Sequence, residues 1–338
     1  MRKINGLAIV AVLAVPALSQ ASSFDAIYAF GDSLSDVGNI FTASGGVAPA
    51  APYANGQFSN GPVWVQDLAA GLGLAPLKPS LLGGTDYAFG GAESGTTPVH
   101  TGSPIDIPAQ LTAFGGTHSM ADPKALYTVW IGSNDLFSIL SGATPPNYAA
   151  DAAAAVVNID KAITTLAGDG AKNFLILTVP DLGKTPKAAM AGASAQAAAS
   201  ALAAAFDNVL VNGSGSIPSL AEIAASNSLR LNVVDAYSLL DAVVSDPGKY
   251  GFTNVTDPCL TGAVNYSGGT VCATPNSYLF WDNLHPTSTG HALVGAAALA
   301  SVSVATPEPV TLGLLALGLA ALGFARRKPR AMPGPPVC

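Results

Sequence analysis

The sequence predicts an α/β protein built around a central parallel sheet that is covered by helices on both faces. Short β-prone runs alternate with longer helical patterns along the chain, which is the pattern of strands joined by helical crossovers. The 338 residues include 49% hydrophobic side chains, which is ample for a sizeable core. No internal repeat and no long linker divides the body of the chain, so we expect a single large domain.

Strands are expected where short apolar runs stop at glycine, proline or small polar residues. These runs are residues 26–30, 85–92, 125–131, 173–179 and 230–234. The second run ends in the paired glycines Gly90 and Gly91. Such a pair either permits a turn with positive φ or brings a backbone N–H close to a reacting atom, and both interpretations stay open at this point.

Helices are expected where apolar residues recur at helical spacing or where alanine dominates. The expected helices are residues 62–74, 136 onward, 149–167, 188–210, 236–244 and 288–300. Proline suits the first turn of the first of these helices. Residues 44–60 are rich in small residues, proline and asparagine, which indicates a surface loop that either lines a substrate cleft or simply connects two elements.

The charge balance argues against nucleic acid as a partner. Charged residues make up 10% of the chain and the net charge is −7, so no basic surface is available to neutralise phosphates.

The N-terminus has the pattern of a secretory signal peptide over residues 1–21. Basic residues at 2–3 precede an apolar stretch at 7–18, and small residues near Ala21 suit cleavage there. A buried N-terminal helix is the alternative interpretation. Export would make disulfides permissible.

Candidate catalytic residues follow the expected strands. Ser33 lies on a tight turn after residues 26–30, where a serine is commonly only a turn or N-cap residue. Asp282 precedes His285 by three residues, a spacing that lets the carboxylate hold the imidazole in one tautomer. A loop aspartate that caps the next turn beside a surface histidine is the alternative. His291 is expected to be a packing or surface residue.

The cysteines predict a disulfide, and the spacing of the histidines predicts no metal site. In an exported chain a bond between Cys259 and Cys272 is the simplest account of the two cysteines that flank one loop, and it would contribute about 3 kcal/mol. The four histidines show no ligand spacing. They are His100, His118, His285 and His291.

Four short segments in this order resemble the blocks of the GDSL (SGNH) esterase/lipase family, in its exported bacterial branch. They are Gly-Asp-Ser-Leu-Ser at 31–35, Asp-Tyr-Ala-Phe-Gly-Gly-Ala at 86–92, Gly-Ser-Asn-Asp at 132–135 and Asp-Asn-Leu-His-Pro at 282–286. The resemblance covers residues 24–305. It implies a flavodoxin-like three-layer α/β/α sandwich, the SGNH hydrolase fold, and hydrolysis of carboxylic esters without a cofactor.

The resemblance also implies roles for individual residues. Ser33 matches the nucleophile, His285 the general base and Asp282 the residue that orients the imidazole. The backbone N–H groups of Ser33 and Gly91 and the side chain of Asn134 match the oxyanion hole. The register of the motif favours Gly91 over Gly90. Asp86 departs from the family pattern, which has asparagine there.

The C-terminus, residues 306–338, resembles the PEP-CTERM sorting signal of Gram-negative bacteria. Pro-Glu-Pro at 307–309 precedes an apolar stretch at 310–325 and a basic cluster at 326–328. The resemblance implies recognition by an exosortase and transient membrane contact; a simple membrane anchor is the alternative. Ten further residues, ending in Cys338, depart from the usual close of this signal.

These observations predict an exported serine esterase or lipase of a Gram-negative bacterium that acts through an acyl-enzyme on Ser33. The substrate is expected to be a lipid-like ester or an acylated carbohydrate, met in the periplasm, at the cell surface or outside the cell. An acyltransferase and a polysaccharide O-deacetylase are alternatives on the same site. A surface or matrix protein that binds without catalysis is the alternative from another class.

Overall fold

A computed structural model describes residues 24–141 and 148–303. The expected signal peptide at 1–21 and the sorting segment at 306–338 lie outside these residues.

The strands of the described residues form a four-stranded parallel sheet and two smaller ladders, one parallel and one antiparallel. They are β1 (Ile27–Gly31), β2 (Leu126–Trp130), β3 (Asn173–Leu177), β4 (Arg230–Val234), β5 (Asn254–Pro258), β6 (Leu260–Thr261), β7 (Thr270–Val271) and β8 (Tyr278–Phe280). The small ladders pair β5 with β8 and β6 with β7.

The α-helices of the described residues are α1 (Asn39–Ala43), α2 (Trp64–Gly71), α3 (Ile107–Thr117), α4 (Ser133–Ser141), α5 (Tyr148–Gly168), α6 (Pro186–Met190), α7 (Ala193–Asn212), α8 (Leu220–Asn227), α9 (Ala236–Ser245) and α10 (Ser288–Ser303). Within the two described ranges, no helix combines the length and apolar character that a membrane crossing requires.

The main sheet has the flavodoxin-like strand order. Strands β1 to β4 are neighbours in sequence order and all run parallel. The segment expected as a strand at 85–92 lies along the free edge of β1, since Ala29 N–H donates to the Thr85 carbonyl at 3.0 Å and Tyr87 N–H donates to the Ala29 carbonyl at 2.7 Å. Only an isolated bridge between Ala29 and Asp86 forms there. Counting this segment, the order is 2-1-3-4-5.

The sheet is the middle of three layers because neighbouring strand residues point to opposite faces. On β2, Tyr127 and Val129 face one core, whereas Leu126 and Trp130 face the other. The first core is closed by α3, α5, α7 and α8, and the second by α2 and α10. The expected three-layer α/β/α architecture is therefore confirmed.

Several helix boundaries differ from the sequence-based expectation. The helix expected at 188–210 is two helices, α6 and α7, because Gly192 adopts a φ of 97° between them. Helix α4 begins at Ser133 rather than near Leu136. Helix α3 was not expected, since it contains a proline and two glycines that weaken helical propensity.

The carboxyl ends of the four sheet strands meet at one edge, and the chain leaves each strand there. Ser33 follows β1, Ser133 follows β2, Pro180 follows β3 and Ala236 follows β4. In open parallel sheets, ligands bind at this edge.

Candidate active site

The Ser33 turn is fixed from two sides. The Asp32 carboxylate accepts the Leu34 N–H at 2.9 Å, which closes the turn around the serine. The Gln110 side chain accepts from Gly31 N–H at 3.0 Å and donates to the Gly31 carbonyl at 2.7 Å, which holds the end of β1. Burial raises the pKa of Asp32 to about 6. These contacts present the Ser33 side chain in one position.

Ser33, His285 and Asp282 form a hydrogen-bonded chain. Ser33 Oγ lies 2.8 Å from His285 Nε2, although 252 residues separate the two in sequence. His285 Nδ1 lies 2.8 Å from Asp282 Oδ2. Because an ionised carboxylate only accepts hydrogen bonds, Nδ1 carries the proton and Nε2 is left to accept the Ser33 hydroxyl.

The Asp282 carboxylate is held in its ionised form. Burial opposes the charge, but interaction with His285 and hydrogen bonds from His285 and Leu284 outweigh it and lower the pKa to about 2. The backbone N–H groups of both residues donate to Oδ1 at 2.8 Å. The three-residue spacing between aspartate and histidine thus forms a compact turn that ends with the imidazole on the carboxylate.

Tyr53 is a further partner of Asp282 that the sequence did not identify. Its hydroxyl donates to Asp282 Oδ2 at 2.7 Å, and the side chain is 5% exposed. The composition of residues 44–60 left open whether this loop lines a cleft, and the structure places it against the triad carboxylate. The signal was an aromatic residue in a loop of small residues, and sequence alone does not connect that residue to position 282.

Aromatic rings enclose the imidazole. The rings of Phe58 and Tyr266 lie 5.2 Å and 5.9 Å from the His285 ring, centroid to centroid. Tyr266 is on the turn between β6 and β7, a hairpin that contains the expected disulfide between Cys259 and Cys272. The Tyr266 carbonyl accepts the N–H of Ala50 at 2.9 Å, which ties the hairpin to the loop that carries Tyr53.

Hydrogen bonding distinguishes the two glycines at the end of the 85–92 segment. Gly90 N–H donates to Asp36 Oδ2 at 2.8 Å, and a Cβ at Gly90 would meet the Phe58 ring at 2.3 Å. Gly91 has a φ of 83°, which favours glycine. Within residues 24–141 and 148–303, neither Gly91 N–H nor Ser33 N–H has a hydrogen-bond acceptor. Both are available to a bound oxygen.

Asn134 lies in the first turn of α4 and lines a cavity beside Ser33. One of its two amide hydrogens donates to the Ala92 carbonyl at 2.9 Å, which fixes the side chain and leaves the second hydrogen for a ligand. The next residue, Asp135, accepts the Ser94 N–H at 3.0 Å and so joins the same two segments. Burial raises the pKa of Asp135 to about 7.

Asp86, which stands where the family pattern has asparagine, is fully buried. It accepts the N–H groups of Val37 at 2.8 Å and Ala88 at 3.1 Å. Burial, reinforced by the nearby Asp36, raises its pKa well above the usual range. Each of its two carboxyl oxygens accepts one of these N–H groups, so the side chain links the turn that carries Ser33 to the 85–92 segment.

His291 was expected to be either a packing or a surface residue, and it lies in the core. It is fully buried, its Nδ1 accepts the Trp64 N–H at 3.4 Å, and burial lowers its pKa to about 3. His100 pairs with Asp106 at 2.7 Å.

In the part of the chain that the structure describes, no three side chains of His, Cys, Asp or Glu form a group that could hold a metal ion. The expected absence of a metal and of a cofactor stays a prediction.

A mainly apolar cavity of about 90 Å³ opens beside Ser33, and we name it the α9–α10 cavity. Its lining begins with Ser33, Asn134 and His285 and continues between the two helices that give it the name. The apolar lining residues include Trp130, Pro180, Ala236, Leu239, Leu240, Val243, Leu279, Phe280, Leu293 and Val294.

A serine, a histidine and an ionised aspartate in a hydrogen-bonded chain, at the carboxyl edge of a parallel sheet, define the class of serine hydrolases. The chain belongs to the GDSL-like lipase/acylhydrolase family, whose family model matches residues 27–298. The PEP-CTERM protein-sorting motif matches residues 305–328, which indicates export and sorting at the surface of a Gram-negative cell.

The chain is similar in sequence to a hemolysin and to an acyltransferase. The chain is 29% identical to the thermolabile hemolysin of Vibrio parahaemolyticus over 297 residues, a match that covers 84% of this chain and 65% of the relative. It is 27% identical to the phosphatidylcholine-sterol acyltransferase of Aeromonas hydrophila, covering 74% of this chain and 70% of the relative. The chain thus spans slightly less than two thirds of the hemolysin.

Among solved structures, an acetylxylan esterase from Geobacillus stearothermophilus superimposes with a TM-score of 0.44 and 13% sequence identity. The match covers 84% of this chain and 97% of that one.

Proposed function

We propose that the protein is an exported serine esterase or lipase that hydrolyses carboxylic esters through an acyl-enzyme on Ser33. The observation that carries the proposal is the 2.8 Å distance between Ser33 Oγ and His285 Nε2, with Asp282 on the opposite ring nitrogen. A serine hydroxyl is a poor nucleophile until a neighbouring base removes its proton, and this geometry supplies that base.

In the first step, Ser33 Oγ attacks the ester carbonyl carbon while its proton moves to His285 Nε2. The imidazolium that forms lies against Asp282, whose pKa of about 2 keeps the carboxylate charged throughout the neutral range. The opposite charge stabilises the imidazolium, and the hydrogen bond at Nδ1 keeps the ring in place.

The carbonyl oxygen becomes negatively charged as the tetrahedral intermediate forms. The free N–H groups of Ser33 and Gly91 and the second amide hydrogen of Asn134 are the donors we assign to this oxygen. Each such donor contributes a factor on the order of 10² to 10³ in rate. The three donors come from three segments that Asp36, Asp135 and the Asn134–Ala92 hydrogen bond hold together.

The imidazolium then donates its proton to the departing alcohol as the C–O bond of the ester breaks, which leaves the acyl group on Ser33. In the second half of the reaction a water molecule gives a proton to His285 Nε2 and attacks the acyl-enzyme. His285 returns that proton to Ser33 Oγ as the carboxylic acid leaves, which restores the resting enzyme. Transfer of the acyl group to another alcohol in place of water is the second candidate activity, because one relative is named an acyltransferase.

The place of action that we propose is the cell surface, since the sorting motif indicates an exosortase-type machinery. The partner that we propose for the C-terminal segment is that machinery, with transient membrane contact. A short-chain deacetylase acting on secreted polysaccharide would work at the same location with the same triad.

The test is the Ser33→Ala variant. We expect ester turnover to fall by on the order of 10⁶, because loss of the nucleophile removes the acyl-enzyme route. The measurement is kcat/KM on p-nitrophenyl esters together with the thermal unfolding midpoint. The matched control is Ser119→Ala, an exposed serine, which we expect to keep full activity. Comparable turnover by folded Ser33→Ala would overturn the proposal.

A further inference from the structure

We infer that the α9–α10 cavity is the acyl-chain site, and that it selects acyl chains longer than an acetyl group. This inference rests on the proposed function, because it takes Ser33 as the atom to which the acyl group is bound.

The α9–α10 cavity is continuous with the nucleophile. Ser33, Asn134 and His285 are among the residues that line the cavity, so a carbonyl carbon at Ser33 lies against its apolar lining. The acyl chain is covalently attached to that carbon. A chain that enters the cavity therefore stays inside it for the lifetime of the acyl-enzyme.

The walls of the cavity are apolar. Helix α9 presents Ala236, Leu239, Leu240 and Val243, which are spaced as one stripe along the helix. Helix α10 presents Gly290, Leu293 and Val294 in the same spacing on the opposite side. Hydroxyls of a sugar or of glycerol would lose their hydrogen bonds between these walls, whereas methylenes would gain by leaving water.

Two polar side chains of the lining are already hydrogen-bonded within the protein. The Thr185 hydroxyl donates to the Leu182 carbonyl, and Asp32 accepts from Leu34, so both already have partners within the protein. The cavity offers hydrogen-bond donors to a ligand at its Ser33 end, which is where the ester oxygen lies. This distribution fits an acyl group, which is polar at one end only.

The lining reaches along the edge of the sheet. It includes residues at or just beyond the ends of all four sheet strands, from Ser33 after β1 to Ala236 after β4. Helix α9 follows the strand farthest from β1, so its stripe forms the distal part of the cavity.

Leu240 and Leu293 are the residues that we expect to determine chain length. They are on opposite walls, and both are half-buried, so a larger side chain is accommodated without displacing the sheet. Leu240→Trp and Leu293→Trp each fill the distal part of the cavity from one side.

The experiment measures kcat/KM on p-nitrophenyl esters from acetate to dodecanoate. For the unchanged protein we expect the octanoate value to exceed the acetate value, with a rise of about fourfold or less for each methylene that the cavity buries, because buried methylenes contribute to binding of the transition state. In Leu240→Trp and in Leu293→Trp we expect the octanoate value to fall by on the order of 30-fold while the acetate value stays within about twofold.

The matched control is Ser238→Trp, which places the same side chain on an exposed position of α9. It should keep the chain-length profile of the unchanged protein. Retained acetate turnover shows that each variant is folded and that its triad works, so a fold defect is separated from a filled cavity.

Three outcomes would overturn the inference while leaving the esterase proposal intact. They are a preference for acetate, an equal fall for all chain lengths in Leu240→Trp, and a chain-length preference that appears in alkyl acetates rather than in acyl esters. The last outcome would place the alcohol in the cavity. Failure of the proposed function is different, because no ester of any length would then be turned over.

Discussion

The two sides of Ser33 are built by different physical means. The triad side comprises Asp282, His285, Asn134 and the loops that carry them. Hydrogen bonds that backbone N–H groups donate to buried carboxylates set the positions of these residues. On the other side, the α9–α10 cavity is bounded by apolar side chains that contact each other without directional bonds. The triad side fixes atoms for a reaction, and the cavity side fixes a shape for a chain.

The two sides should therefore respond differently to substitution. Removing a hydrogen-bonding group from the triad side alters the transition state for every ester, because the reacting atoms are the same in all of them. Filling the cavity alters only those substrates that reach into it.

The largest effect in this series is expected for Asp282→Asn. The amide can no longer stabilise the imidazolium, and it favours the tautomer in which Nε2 carries the proton, so kcat should fall by about 10⁴. The measurement is kcat on acetate and octanoate esters in parallel. Asp257→Asn, an exposed aspartate on β5, is the control. A fall confined to octanoate would contradict the division between the two sides.

Asn134→Ala should have the next largest effect. Loss of one oxyanion donor lowers kcat by on the order of 10² to 10³, and kcat/KM should fall by the same factor because the donor acts only in the transition state. Steady-state kinetics on both esters provides the readout, with Asn208→Ala on the exposed face of α7 as control. A rise in KM with unchanged kcat would instead assign Asn134 to ground-state binding.

Tyr53→Phe should have the smallest effect on this side. The variant removes one hydrogen bond to the Asp282 carboxylate and keeps the ring, while the backbone N–H groups of Leu284 and His285 still hold the carboxylate. Hydrogen bonds to charged groups contribute about 1.5 to 3 kcal/mol, so we expect kcat/KM to fall about tenfold or somewhat more. Tyr148→Phe, at an exposed tyrosine, is the control. Unchanged kcat/KM for Tyr53→Phe would mean that its hydroxyl is not needed to position Asp282.

The triad side was largely predictable from sequence, and the cavity was not. Ser33, Asp282 and His285 stand in short motifs because hydrogen-bonded turns require particular residue types at particular spacings, and the structure brings the three together. The choice of Gly91 over Gly90 rested on the register of a motif, and the bond from Gly90 to Asp36 now gives a physical reason for it.

The cavity has no such signature in sequence. Leu239, Leu240 and Val243 have the spacing of an ordinary apolar helix stripe, and a helix that packs in a closed core has the same spacing. Whether two stripes touch or leave a gap depends on the distance between α9 and α10, which the sheet order and the connecting loops set. Tyr53 was missed for a related reason, since its partner lies 229 residues away.

The most direct test of the account labels Ser33 with alkyl fluorophosphonates of increasing chain length. The phosphorus takes the place of the ester carbonyl carbon, so the alkyl chain occupies the acyl position when Ser33 Oγ displaces fluoride. We expect labelling of Ser33, identified by peptide mass, to be faster for the octyl than for the ethyl reagent, and we expect Leu240→Trp to lose this preference. Absence of label at Ser33 in the folded protein, or equal rates for both reagents, would contradict these expectations.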